Sequence, residues 1–181
     1  REYRDTWGSL DDGESGETIL VFDWARVSND GTVGQAEAAA DALFAALIDS
    51  DGDGQRDEGY TSQPLHFIGH SRGTVVVSET VQRLGIHGKQ VGYVTNLDVH
   101  DFDESSENGV YVPFDGYFHD PSVQVWKNTK YADNFWQKSN IAPIPSGRAL
   151  DALPERLPYE NNLTNLNGFY DNTCRFVCLN D

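Results

Sequence analysis

Apolar positions fall into short continuous runs and two helical stripes, separated by turn-forming residues. Thr18–Trp24 (Thr-Ile-Leu-Val-Phe-Asp-Trp) is an unbroken apolar run that predicts a strand buried on both faces. Asn29-Asp30-Gly31 marks a turn. From Val33 to Ile48, residues Ala36, Ala39, Ala40, Leu43, Ala46 and Leu47 recur at helical spacing among good helix formers. Leu65, Phe67 and Ile68 make a second run of strand length. A helix-period segment with Val76, Val77, Thr80, Val81 and Leu84 follows it. Gln90–Leu97 predicts a third strand and Ser122–Lys127 a fourth. Strands alternating with helices argue an α/β fold: a mainly parallel sheet, right-handed crossovers and flanking helices. Beyond Asn128 the periodicity dissolves. Residues 128–181 are rich in Asn and aromatics, and Pro143, Pro145, Pro154 and Pro158 block long helices. That stretch reads as an irregular cap or tail on a single domain spanning 1–181.

Between the second strand and its helix stands Gly69-His70-Ser71-Arg72-Gly73. Strand, G-x-S-x-G, helix is the context in which the pentapeptide signifies a nucleophile elbow. A serine hydroxyl is a weak nucleophile, so it must be held where a base can reach it. A strained turn does so, and Gly69 and Gly73 are expected to leave room for it. The competing reading is a plain glycine turn.

With these residues the chain resembles the α/β-hydrolase superfamily, specifically bacterial lipase- and esterase-like serine hydrolases, from about Thr18 to Lys127. The resemblance implies a triad in the order Ser, acid, His. Ser71 would be the nucleophile, and Asp98, directly after the Gln90–Leu97 strand, the acid. The local Thr-Asn-Leu-Asp-Val looks like the acid segment of pancreatic-lipase-type hydrolases, with Val99 where that group commonly has proline. Asp101 and Asp103 are alternatives, as is a turn-capping role for Asp98. His119, between the third and fourth predicted strands, is the best-placed base. Within the chain His100 is the other candidate, and a base outside this chain is the competing reading. His66 reads as a packed strand residue, His70 as supporting the elbow, and His87 as a surface turn. The main-chain N–H of Arg72 would supply one oxyanion donor. Residues 1–17 contain no match to the family's oxyanion strand. Either the sheet is incomplete at its N-terminal side and completed by an upstream segment or another chain, or the fold departs from the family.

The 181 residues suffice for one domain with a substantial core. Asp and Glu number 29 against 13 Lys and Arg, a net charge of −16, so a nucleic-acid partner is not expected. The sequence has no 18-residue apolar run, and hence no transmembrane segment. It opens at Arg1 without methionine or a signal-like region and reads as a mature or trimmed, secreted product. Asp49, Asp51, Asp53 and Asp57 occupy positions 1, 3, 5 and 9 of a twelve-residue loop, with Gly54 at position 6 and Gln55 offering a backbone carbonyl. That spacing resembles calcium loops, in which alternate oxygens converge on the ion. Tyr60 replaces the bidentate Glu at position 12, and Glu58 is the nearest acid. A structural Ca²⁺ and a solvated Asp/Gly turn are the two readings. Cys174 and Cys178 suit a local disulfide or free thiols, and Asn162-Leu163-Thr164 is a glycosylation sequon. Three functions remain open: a serine hydrolase on small-molecule or lipid esters, a calcium-stabilised binding protein on an impaired hydrolase scaffold, and a peptidase or amidase.

Overall fold

A computed structural model describes residues 18–49, 52–55, 59–101, 118–137, 147–150 and 159–162. Its elements are α1 (Ala25–Ser28), α2 (Gln35–Ile48), a 3₁₀ turn (Gly59–Ser62), β1 (His66–His70), α3 (Gly73–Ile86), β2 (Val91–Leu97), β3 (Thr129–Trp136) and β4 (Tyr159–Asn162). The sheet runs β1-β2-β3-β4 and every pairing is parallel. The general α/β class expected from the alternation of strands and helices is observed.

Helix α3 is the centre of the molecule. Thr74 to Val81 and Leu84 are all buried, which explains a helix without a charged residue before Glu79. Val77, Val81 and Leu84 pack with Val91 and Val94 of β2 and with Leu47 of α2. Val75 and Val76 pack with Ala36, Ala39 and Ala40, whose small side chains let α2 approach closely. Arg83 ties α3 to α2 by donating to Asp41 (2.5 Å), and it also donates to Glu79 (2.8 Å) one turn back on its own helix. On the opposite sheet face, by strand alternation, lie His66, Ile68, His70, Tyr93, Thr95, Tyr131 and Asp133. Ile68 is 63% exposed, so β1 is not buried on both faces by the described residues.

Two expected strands are not strands. Thr18–Trp24 has no ladder partner among the described residues. Leu20 and Trp24 turn toward the core, Ile19 and Val21 are each 69% exposed, and Asp23 Oδ1 accepts the Ala25 N–H to begin α1. Ser122–Lys127 does bury Val123 and Val125, but side chains accept two of its backbone N–H groups. Val123 N–H donates to Asp101 Oδ2 (2.7 Å) and Gln124 N–H to Ser78 Oγ (3.1 Å). The third strand of the sheet is instead Thr129–Trp136, inside the stretch expected to be irregular. Its helix-facing positions are Ala132 and Asn134, so no apolar run announces it. Residues 1–17, Asp51, Asp57, Glu58, Asp103, Pro143, Pro145, Pro154, Pro158, Cys174 and Cys178 lie outside the described residues.

Candidate active site

Because all strands are parallel, their carboxyl ends share one edge, where open α/β sheets place ligands. His70 pairs with Leu97, and Leu97 with Phe135. Ser71 and Asp98 therefore leave adjacent strands side by side. Ser71 N–H donates to Leu97 O (2.9 Å), and Asp98 N–H to Phe135 O (2.6 Å).

Ser71 has φ +52°, Asp98 +54° and His119 +50°, and they are the three non-glycine residues of positive φ among the described residues. Left-handed backbone at a non-glycine residue costs on the order of 1–3 kcal/mol, and such strain concentrates at functional sites. Ser71 O accepts the Thr74 N–H (3.0 Å) and the Thr74 hydroxyl (2.7 Å), which fixes the turn. An added Cβ at Gly69 would lie 2.9 Å from Thr74 Cα and 3.0 Å from Gly73 O, so strand and helix meet too closely for any side chain there. Gly73 differs from expectation: a Cβ there meets no described atom within 4 Å. Among the described residues the Ser71 hydroxyl makes no hydrogen bond, and the N–H groups of Arg72 and Gly73 are uncommitted.

Asp98 is held on three sides. His100 Nε2 lies 3.2 Å from Oδ2. Gln137 N–H donates to Oδ1 (3.3 Å). Gly147 presses so close that a Cβ would come within 2.0 Å of Oδ1. The imidazole against Asp98 is thus that of His100, whose side chain is 4% exposed, rather than that of His119. His119 is exposed, between Phe118 and Asp120. The Asp101 carboxylate is buried between Arg148 and the Val123 N–H. His66 donates to or accepts from Thr95 Oγ1 (2.9 Å), His70 is exposed at the end of β1, and His87 stacks on Phe44.

One group was not anticipated. The Arg72 guanidinium is buried (side chain 7% exposed) and forks onto Asp120 through Nε (2.5 Å) and Nη2 (2.7 Å). Its Nη1 donates to Ser28 O (2.6 Å), and the rings of Trp24 and Phe118 flank it. A basic residue followed 48 positions later by His-Asp-Pro carries no spacing signal, so this contact is invisible until the chain is folded.

In the 49–60 loop, Asp49 Oδ1 accepts the Gly52 N–H (2.9 Å) and Oδ2 the Gly54 N–H (3.0 Å), while Asp53 accepts the Gln55 N–H (2.6 Å). Gly52 and Gly54 take the left-handed backbone expected of such a turn. The oxygen-only donors Asp49, Asp53 and the Gln55 carbonyl fit a hard cation such as Ca²⁺. Among the described residues no group of three His, Cys, Asp or Glu side chains is assembled as a metal site. No helix among them is long and apolar enough to cross a membrane. Comparison with family models, curated proteins and solved structures finds no match to this chain.

Proposed function

We propose that the protein is a secreted serine hydrolase of carboxylic esters, built on an α/β-hydrolase-like scaffold. The observation that carries the reading is the shared left-handed backbone of Ser71, Asp98 and His119, two of them side by side at the carboxyl edge of the sheet. Ser71 Oγ attacks the ester carbonyl, and a histidine takes its proton and returns it to the leaving alkoxide. The N–H groups of Arg72 and Gly73, which make no backbone hydrogen bond among the described residues, suit the developing oxyanion. His119 is the proposed base, and Asp98, which His100 contacts at 3.2 Å, the proposed acid. A second assignment, His100 as base, is favoured by its 3.2 Å contact with Asp98. The 49–60 loop is proposed to hold a structural Ca²⁺, which takes no part in the chemistry.

A serine-directed fluorophosphonate probe and a panel of p-nitrophenyl esters test the proposal. Ser71 is expected to carry the probe, and Ser71→Ala to abolish labelling. Removing the base typically costs about 10²–10⁴-fold in rate, so His119→Ala against His100→Ala decides between the two histidines. A folded sample that takes no probe leaves the calcium-stabilised binding protein as the reading.

A further inference from the structure

We infer that the Arg72 side chain is a positioning residue: through its buried fork onto Asp120 it fixes the peptide carrying His119 against the Ser71 elbow. The inference rests on the proposed hydrolase reading and adds to it a link made by the side chain of a variable residue of the motif. Arg72 follows Ser71 directly, so its backbone belongs to the strained turn, while its guanidinium is sealed between Trp24 (5.4 Å) and Phe118 (4.0 Å). Three of its donors are committed: two to Asp120 and one to Ser28 O. Both residues flanking His119 are therefore in contact with the residue that follows the nucleophile. Asp120 is fully buried and Phe118 7% exposed, whereas His119 between them is exposed and left-handed. A planar fork fixes orientation as well as distance, which a lysine at this position could not do. The arrangement places an imidazole on the solvent side of a rigid, dry clasp, as a base that must reach an incoming ester requires.

The test compares wild type with Arg72→Lys and with the double variant Arg72→Met/Asp120→Leu. The double variant removes the pair without leaving a buried charge, so its fold is expected to survive. Three quantities are read: thermal unfolding, the rate of fluorophosphonate labelling of Ser71 between pH 5 and 9, and the NOE between the His119 ring and the Ser71 β protons. Wild type is expected to show the NOE. The folded double variant is expected to lose it, to label about 10²-fold more slowly, and to lose the histidine limb of its pH profile. Arg72→Lys is expected to fold and to show a smaller loss of the same kind. A folded double variant that keeps its NOE and pH profile overturns the inference, and so does a wild type without the NOE. Absence of labelling in wild type refutes the hydrolase reading instead, and the NOE comparison then still decides whether Arg72 positions His119.

Discussion

Ser71 shows how a single strained residue depends on its neighbours. Gly69→Ala pushes a methyl group into the Thr74 and Gly73 backbone, where no rotamer gives relief. The expected loss is about 1–3 kcal/mol, as for other overpacked sites, with an unfolding midpoint in urea as the measurement. Gly73→Ala has open space and opens α3, so it is expected to keep or gain up to about 1 kcal/mol. Equal destabilisation by the two alanines would refute the steric account. A second residue-scale effect is electrostatic. Tyr93 donates to Asp133 Oδ2 (2.5 Å), and this bond, then desolvation, raises the phenol above its ordinary range. The folded protein holds that proton more tightly than the unfolded chain. The contribution is thus complete below about pH 10, the unfolded tyrosine value, and drains away as pH rises through the higher folded value. Absorbance at 295 nm should show one tyrosine titrating late, and Asp133→Asn should bring it back. The places of Ser71 and Asp98, directly after β1 and β2, could be read from the sequence because local context announces each strand end. Gly147 against Asp98 and Asp120 against Arg72 could not, since each contact joins segments about 50 positions apart.

At the scale of elements, the sequence pattern located α2, α3, β1 and β2 within a few residues, because each couples a correct period to a turn signal. It misjudged Thr18–Trp24 and Ser122–Lys127 for one reason. An apolar run reports that side chains are buried, not that the backbone finds a neighbouring strand, and Val123 and Gln124 give their N–H groups to Asp101 and Ser78. The converse error is β3, where Asn134 occupies a buried, helix-facing position and donates to Arg148 O. Its Thr, Tyr, Phe and Trp content was the available signal. The 49–60 loop makes the prediction for this scale. Its Asp49 carboxylate already gathers two backbone N–H groups, so a cation would order residues that lead from α2 toward β1. At calcium 100 times its dissociation constant, one site stabilises by about 2.7 kcal/mol. Thermal unfolding should rise with calcium and fall with chelator, and Asp53→Asn should blunt the response. A melting curve indifferent to calcium would leave the loop as a solvated turn.

For the whole molecule, the decisive quantity is the imbalance of 29 acidic against 13 basic residues. Two of the arginines, Arg72 and Arg148, are committed to the partly or fully buried acids Asp120 and Asp101. Buried pairs are screened little by salt, whereas surface carboxylates repel across distances that salt shortens from about 30 Å at 0.01 M to about 8 Å at 0.15 M. Self-repulsion of this kind works against the compact state. Sodium chloride is therefore expected to stabilise the fold, with chelator present so that calcium plays no part. A gain of about 1 kcal/mol would raise the midpoint by about 2–4 °C in a chain of this length. A midpoint that falls with salt would mean that exposed pairs such as Arg83–Asp41 outweigh the repulsion. The same repulsion bears on the proposed chemistry: an anionic ester approaches a strongly negative protein against the field, a neutral one does not. Labelling by a neutral fluorophosphonate should then vary little with ionic strength, while an anionic probe should speed up as salt is added.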